Sequence, residues 1–399
     1  MKKIQFSTLL LAFLMIACFS CKQDGGEFEI NYYSEADYQM MSQYIDIPEF
    51  PLDYTNQYPA YYRNSARGLF DKDMATLGRV LFYDKKLSAD ETISCASCHD
   101  QALAFADNVD LSIGIQDRRT GRNSLALGAV FNFQEYYGSA SFSRITFFWD
   151  NRAISVQEQA TQTFAAENEM GMDMDEVVAA VKELEYYAPL FEMAYGNRTI
   201  TEDKVLDAMN TFVSSIGSYN SKYDEALDDA GFQLTGFGTE APEQTSLGML
   251  SDEENRGFQL YVNNCGSCHG HVNGVPGKID ANNGLDMNYE DNGTGELTNN
   301  PADMGKFKVP TLRNIMVTGP FMHDGRFETI EEVLDHYSSG IQNHENLDPE
   351  LKDGTLPKLM NFSSEERADL IAFLNTFTDT EFLDANSEIG KKYSDPFKN

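Results

Sequence analysis

Basic residues are scarce in this chain of 399 residues, which has 30 Lys and Arg against 63 Asp and Glu and a formal net charge of −33. A surface this negative repels nucleic acids and anionic lipids and attracts cationic partners. We therefore expect no nucleic-acid partner, and contact with a membrane only through an attached lipid. Acidity is also a common route to solubility, so the charge alone does not identify a function.

A membrane-spanning hydrophobic run is missing from the amino terminus. The apolar stretch 9–16 follows two lysines and precedes small residues with Cys18 and Cys21, a pattern that predicts a secretory leader over residues 1–21. If Cys21 is lipidated, Cys18 is removed with the leader and no free thiol remains. If Cys18 is lipidated, Cys21 remains as a free thiol. Secretion with cleavage elsewhere is the alternative. Either way, the protein is expected to work in the periplasm or cell envelope.

Cysteine is otherwise confined to two short segments. The four cysteines outside the leader lie in Cys95-Ala96-Ser97-Cys98-His99 and Cys265-Gly266-Ser267-Cys268-His269. This C-x-x-C-H spacing is typical of c-type haem, since two thiols form thioethers to the haem vinyl groups and the adjacent imidazole binds iron. The sequence therefore predicts two covalently bound haems. A zinc site is a weaker alternative, because the motifs lie much further apart than the roughly 15–20 residues usual between paired zinc-binding motifs.

The remaining sequence predicts a mainly α fold with two cytochrome c-like haem domains and long loops. Gly78-x-x-Leu81-Phe82 before the first motif and Gly257-x-x-Leu260-Tyr261 before the second form a weak internal repeat. Helical periodicity is found near 73–84, 153–165, 174–195, 201–224, 328–338 and 364–377. We expect an acidic tether at 22–66, a first haem domain at 67–230, a linker at 231–250 and a second haem domain at 251–399, whose last helix could pack back on the first domain.

Further segments show a resemblance over about residues 70–378. They are Leu77-Gly78-Arg79, Phe148-Trp149-Asp150-Asn151-Arg152-Ala153, Glu169-Met170-Gly171, Val309-Pro310-Thr311-Leu312-Arg313-Asn314 and Pro320-Phe321-Met322-His323-Asp324-Gly325. In this order they resemble the bacterial dihaem cytochrome c peroxidases and their MauG-type relatives. The resemblance implies that His99 binds the iron of a peroxidatic haem and His269 that of an electron-entry haem. It also implies that Trp149, the only tryptophan, relays electrons between them; a Trp that merely fills a core is the alternative.

The resemblance also implies the residues that act on hydrogen peroxide. Glu169 matches the family's acid–base glutamate, which moves a proton from the near to the far peroxide oxygen. Gln159 matches the residue that orients peroxide or water through its amide. Without the family match, both would be read as solvated helix residues.

A calcium ion between the two domains is a further expectation from the family. The matching residues are Asn123, Thr318 and Pro320, and amide and carbonyl oxygens suit a hard cation.

Two departures from the peroxidase pattern concern the axial ligands. Many of these peroxidases place a blocking histidine after Ser-Ile-Gly, but this chain has Ile115 there, so we expect the first haem to be open without prior reduction. At the distal position of the second haem, where methionine is usual, the chain has Tyr337, as in MauG-type enzymes. Its rivals as the ligand are His336, then Met322 or Met316.

The leading hypothesis is an enzyme that reduces hydrogen peroxide with electrons from a small cytochrome or other cationic redox protein. A MauG-like oxidase of a protein or organic substrate through high-valent haems is the second hypothesis, favoured by Tyr337 and Ile115. A non-catalytic dihaem electron carrier is the third.

Overall fold

The computed structural model describes residues 32–61, 69–128, 146–232, 242, 246–271 and 277–398. The leader, including Cys18 and Cys21, lies outside the described residues, as does most of the predicted linker. Helices dominate, and the predicted mainly α class is confirmed. No helix within the described ranges is long and apolar enough to cross a membrane.

The first group of helices surrounds the first C-x-x-C-H motif. It comprises α1 (Glu35–Met41), α2 (Lys72–Tyr83), α3 (Val156–Ala165), α4 (Met174–Glu183), α5 (Tyr187–Tyr195) and α6 (Glu202–Ser215). Helix α2 packs on α6 at Gly78, where an added Cβ would lie 2.0 Å from the carbonyl oxygen of Ala208. Glycine at this position lets the two backbones approach, and Phe82 and Phe212 fill the core beside the crossing.

The second group surrounds the second motif and repeats this crossing. It comprises α7 (Lys222–Asp229), α8 (Asp252–Asn264), α9 (Gly266–His269), α10 (Thr294–Thr298), α11 (Ile330–Asp335) and α12 (Ser364–Asn375), whereas the last helix, α13 (Thr380–Leu383), packs on the first group through Phe382. Helix α8 packs on α12 at Gly257, where a Cβ would lie 1.9 Å from the carbonyl oxygen of Asp369. The glycines of the internal repeat therefore occupy equivalent helix crossings.

Two short antiparallel ribbons flank the second motif. Strand β1 (Asp280–Ala281) pairs with β2 (Phe307–Lys308), and β3 (Lys352–Asp353) pairs with β4 (Leu356–Pro357). Most of the chain between them is loop, in agreement with the expected long loops.

Two predicted helices are each divided in the structure. The stretch 174–195 breaks before α5 because Pro189 has no N–H to donate within a longer helix and is tolerated only in a first turn. Within the stretch 201–224, helix α6 ends at Ser215. Helix α7 begins after Ser221, which forms a capping box with Asp224.

The predicted tether at 22–66 is wrong for residues 32–61, which pack against the protein. Tyr33, Met41, Ile45 and Tyr54 are buried in the first core, because the aromatic and aliphatic side chains of this acidic segment cover apolar surface. Tyr61 is buried in the second core, where its hydroxyl donates to Asp224.

The carboxyl-terminal segment also returns to the first core. Phe382 and Tyr393 are fully buried there. The Gln101 side-chain amide, two residues after the first motif, donates to the carbonyl oxygens of Phe382 and Gly390.

Candidate functional site

The first C-x-x-C-H motif presents its histidine in one defined tautomer. A short 3-10 turn holds Cys95, and the chain after the motif bends back through left-handed residues at Ala104 and Phe105. This bend brings the Phe105 carbonyl oxygen 2.7 Å from His99 Nδ1. A carbonyl only accepts, so Nδ1 carries the proton and Nε2 is the nitrogen free to bind iron.

The second motif has the same arrangement on another scaffold. Cys265 ends α8, and α9 carries the motif to His269, whose Nδ1 lies 3.1 Å from the Pro310 carbonyl oxygen. Burial lowers the pKa of both His99 and His269, which keeps the imidazoles neutral as iron binding requires.

A mostly apolar cavity opens beside the second motif. Cys265, Cys268, His269 and Tyr337 all line it. Two thiols and a correctly oriented imidazole on one apolar cavity fit a covalently attached haem. Burial raises the pKa of Cys265 to about 12, so the free thiol is protonated. Within the described ranges, no three His, Cys, Asp or Glu side chains converge on a metal site.

Trp149 lines the same cavity and is nearly buried. It lies in a tight turn closed by the Phe147–Ala153 bridge, with left-handed backbone at Phe148 and Asn151 on either side. Its indole Nε1–H donates to the Asn123 carbonyl oxygen at 2.9 Å, and its own carbonyl accepts from the backbone of Lys308. The ring is therefore held between chain segments that follow the first and the second motif.

Glu169 and Gln159 are brought together by Thr163, a residue that the sequence analysis missed. Gln159 Nε2 donates to Thr163 Oγ1 at 3.0 Å, and the Thr163 hydroxyl is hydrogen-bonded to the Glu169 carboxylate. Burial raises the pKa of Glu169, although Thr163 and the nearby Arg152 guanidinium oppose the rise. The spacing of Gln159 and Thr163, four residues apart on α3, was the available signal.

The Glu169 carboxylate faces the first haem motif. Its charge contributes to the raised pKa values of Cys95 and Cys98, after the larger effect of their burial. Two thiols, the neutral His99 imidazole of the same motif and a carboxyl group that acts on both thiols are a set of residues that fits a haem with an acid–base group near it.

Ile115 is packed against the segment that carries Glu169. Its side chain is buried, its backbone N–H donates to the Glu169 carbonyl oxygen at 3.1 Å, and a Cβ on Gly171 would meet its Cδ1. An apolar side chain, which cannot bind iron, therefore lies beside the segment that carries Glu169.

Tyr337 and His336 differ in what they face. Tyr337 lines the cavity with His269, and its hydroxyl is hydrogen-bonded to Asn283. The His336 ring instead contacts the Asn283 carbonyl oxygen at 3.1 Å and is absent from the cavity wall. Both lie in a π-helical turn, His336–Gly340, which continues α11. Of the other rivals, Met322 lines the cavity and accepts from Asn283, whereas Met316 does not line it.

The three residues expected at a calcium site all line this cavity. They are Asn123, Thr318 and Pro320. The Asn123 amide nitrogen donates to the Val109 and Asp110 carbonyls, which points its other side-chain atom, an oxygen, elsewhere. An amide oxygen and backbone carbonyls are the donor types that suit a hard cation.

An ionic cluster beside Trp149 was not predicted. Arg122 forms a bidentate pair with Asp291 at 2.7 and 2.8 Å and a third bond to Asp150, which also binds Arg152. Burial alone would raise the pKa of Asp291, but the Arg122 guanidinium holds it below its usual range. The cluster ties the Trp149 turn to the loop before α10.

Comparisons with known proteins agree with these features. Residues 72–231 match the di-haem cytochrome c peroxidase family, and residues 254–378 match cytochrome c. The chain is 32% identical over 325 residues to methylamine utilization protein MauG of Methylorubrum extorquens, covering 76% of this chain and 78% of that protein. It is 29% identical to cytochrome c551 peroxidase of Nitrosomonas europaea, covering 77% of this chain and 80% of that protein.

A solved structure is similar along most of its length. It is a MauG-like protein associated with microbial copper homeostasis, with a TM-score of 0.65 and 28% identity, covering 88% of this chain and 98% of that one.

Proposed function

Because the chain belongs to the family of the di-haem cytochrome c peroxidases and MauG, and is therefore an oxidoreductase with two c-type haems, we propose that it reduces hydrogen peroxide to water at its first haem. Cys95 and Cys98 attach this haem, and His99 binds its iron. Cys265, Cys268 and His269 do the same for the second haem, where electrons enter. The haems supply the redox chemistry, and the surrounding residues supply protons, orientation and the path between them.

The observation that carries this proposal is the Gln159–Thr163–Glu169 cluster beside the first haem motif. The Glu169 carboxylate accepts the proton of the near peroxide oxygen and returns it to the far oxygen, which leaves as water. Burial raises the pKa of Glu169 and so suits it to both steps. The Gln159 amide orients peroxide for the transfer.

Trp149 relays electrons from the second haem to the first. Its hydrogen bond to Asn123 and its nearly buried position favour one fixed ring orientation. Calcium held by Asn123, Thr318 and Pro320 would also stiffen the surroundings of Trp149. Asn123 would bind the ion and already accepts the hydrogen bond of the Trp149 indole.

A MauG-like oxidation of an organic or protein substrate is the second candidate, and Tyr337 is the observation that favours it. The phenol lies on the cavity wall with His269. As a phenolate ligand it would stabilise ferric iron and let the second haem hold an oxidising equivalent.

The protein is proposed to act in the periplasm or cell envelope, anchored by a lipid at Cys21. Its negative charge favours a small cationic cytochrome as electron donor. Such a donor would be steered towards the protein at low ionic strength.

Rapid mixing of the fully oxidised holoprotein with an equal concentration of hydrogen peroxide tests the proposal. We expect a fast shift of the Soret band without prior reduction, because Ile115 leaves the first iron open. A reaction that requires one reduced haem would contradict the open first haem. Inertness in both redox states would contradict peroxidase activity and indicate an electron carrier.

A further inference from the structure

Three tyrosines form a continuous line from the first core to the surface. Tyr187, at the start of α5, is fully buried, and its ring centroid lies 4.8 Å from that of Tyr186. Tyr186 is 4% exposed and lies 5.3 Å from Tyr44. Tyr44, in the segment after α1, is 41% exposed. These separations put the rings in direct contact.

The inner end of the line lies beside the first haem motif. Cys95 packs against the core cluster that contains Tyr187, and its thiol contributes to the raised pKa of the Tyr187 phenol, after burial, Asp84 and Tyr186. Because the Cys95 sulfur forms a thioether to the haem, a phenol near this sulfur lies near the haem edge. Tyr187 is therefore the tyrosine through which the line meets the haem.

Each phenol of the line donates to a carboxylate. Tyr187 and Tyr186 donate to the same oxygen of Asp84 at 2.7 and 2.8 Å, and Tyr44 donates to Glu185 at 2.7 Å. An oxidised phenol is a strong acid and must pass its proton to a base. Burial raises the pKa of Asp84, which makes it a better proton acceptor.

Tyr83 and Tyr393 of the same core lack this arrangement, and Tyr32, which donates to Asp73, lies outside the line. Tyr83 donates to the Tyr393 carbonyl oxygen, and Tyr393 donates to the Ser215 carbonyl oxygen. A backbone carbonyl cannot take the phenolic proton. Packing alone would account for the aromatic contacts, but not for a carboxylate at every member of one line that leads outward.

We propose that Tyr187, Tyr186 and Tyr44 form a radical-transfer route by which oxidising equivalents from hydrogen peroxide reach the surface and oxidise small phenols there. The proposal rests on peroxide reduction at the first haem. It adds a second exit for the oxidising equivalents, distinct from the Trp149 relay.

Each transfer moves one electron inward and returns the protons to their phenols. Tyr187 gives an electron to the haem and its proton to Asp84. Tyr186 then reduces Tyr187, which recovers its proton while Asp84 takes that of Tyr186. Tyr44 next reduces Tyr186 and gives its proton to Glu185, and Asp84 returns its proton to Tyr186.

A phenol in solution completes the sequence. It loses one electron and its proton, becoming a phenoxyl radical, and Tyr44 regains its proton from Glu185. Two phenols are oxidised for each peroxide reduced to two waters, which balances both electrons and both protons. The exposed Glu185 and the negative chain favour neutral or cationic phenols over anionic ones.

The test uses the holoprotein with hydrogen peroxide and the neutral phenol guaiacol. We expect Tyr44→Phe and Tyr186→Phe to lower guaiacol oxidation to background, since phenylalanine has no phenol to oxidise. Tyr38→Phe is the matched control and should retain it, because Tyr38 donates to the Ile47 carbonyl outside the line. Asp84→Asn removes the proton acceptor at nearly constant size and should also lower oxidation.

Covalent cross-linking gives a readout independent of turnover. Without guaiacol, peroxide should produce dityrosine-linked dimers through Tyr44, located by mass spectrometry, and Tyr44→Phe should not form them. The Soret reaction with peroxide is measured for every variant. If that reaction is intact but Tyr44→Phe still oxidises guaiacol and cross-links like the unmodified protein, the route is overturned and peroxidase activity stands. If the unmodified protein does not react with peroxide, both proposals fail.

Discussion

At the scale of single residues, the protonation of Glu169 depends on a hydroxyl group that faces it. Thr163 lowers the pKa of Glu169 through a hydrogen bond, while burial raises it. Replacing Thr163 by valine should raise this pKa further, because it removes a hydrogen bond that favours the charged carboxylate. The ionised carboxylate accepts the peroxide proton, so the rate falls as pH drops through the pKa. In Thr163→Val that fall should occur at higher pH, as measured by stopped-flow pH profiles.

Two further variants separate this effect from a packing defect. Thr163→Ser keeps the hydroxyl and should restore the original profile, whereas Glu169→Gln should remove the acid limb altogether. A profile that is identical in Thr163→Val and the unmodified protein would show that Thr163 does not influence the proton transfer.

The second residue-scale prediction concerns Tyr337. Replacing it by phenylalanine should raise the reduction potential of the second haem by on the order of 100 mV, a fraction of the roughly 0.8 V that axial ligands span. The phenolate favours ferric iron, and its loss removes that preference. Potentiometric titration with optical and EPR spectra measures the change. His336→Gln is the control, because His336 contacts Asn283 and not the cavity; a shift in that variant alone would make histidine the ligand.

The haem-binding residues could be predicted from the sequence, because covalent attachment fixes their spacing along the chain. Residues that act through neighbours brought close only by folding could not be predicted. The C-x-x-C-H motifs can be recognised in the sequence because c-type haem attachment needs two thiols and an imidazole at this short spacing. Thr163 gains its role only because the turn after α3 returns Glu169 to the face of α3 that carries Gln159. Local spacing contains no information about that turn.

At the scale of helices, the two glycine crossings decide how closely each pair packs. An alanine at Gly78 would place its Cβ 2.0 Å from the Ala208 carbonyl oxygen, and one at Gly257 would lie 1.9 Å from that of Asp369. Alanine normally favours a helix by about 0.5–1 kcal/mol over glycine. Here overpacking should reverse the sign and destabilise by about 1–3 kcal/mol or more. Urea unfolding followed by circular dichroism tests each variant.

The control for this prediction is Gly121→Ala, since nothing lies within 4 Å of a Cβ there. We also expect Gly78→Ala to perturb the spectrum of the first haem more than that of the second, and Gly257→Ala to do the reverse. Unchanged stability in both variants would contradict the close approach of the helices.

Periodicity predicted most of the longer helices but not the short α1, α10 and α13, and helix ends depended on particular residues. Pro189 and the Ser221–Asp224 capping box divide two predicted helices, and both are visible in the sequence. The π-helical turn that contains Tyr337 is different, because no local pattern distinguishes it from a continuing α-helix.

At the scale of the whole molecule, long-range packing was the least predictable property. Residues 32–61 look like a tether by charge, yet they cover both cores and bring Tyr44 against Tyr186. Residues 380–398 likewise cover the first core from the far end of the chain. Such contacts depend on the shape of surfaces that form only after the helices have packed.

The Arg122 cluster gives the last prediction, which concerns how the two haem regions act together. Arg122 joins Asp150, next to Trp149, to Asp291, which lies beyond the second motif. Arg122→Gln removes the charge and the forked geometry, so the Trp149 turn should lose its fixed position. Electron passage from the reduced second haem to the peroxide-treated first haem should slow by at least about tenfold, since a shift near 1 Å can cost about a hundredfold. The direct reaction of peroxide with the oxidised protein should keep its rate, because the member of the cluster that acts on Glu169 is Arg152, which the substitution leaves in place. Arg198→Gln is the matched control: Arg198 also joins two carboxylates, those of Asp37 and Glu192, but at the exposed surface of the first core. Equal slowing in both variants would mean that general loosening, and not the position of Trp149, limits the transfer.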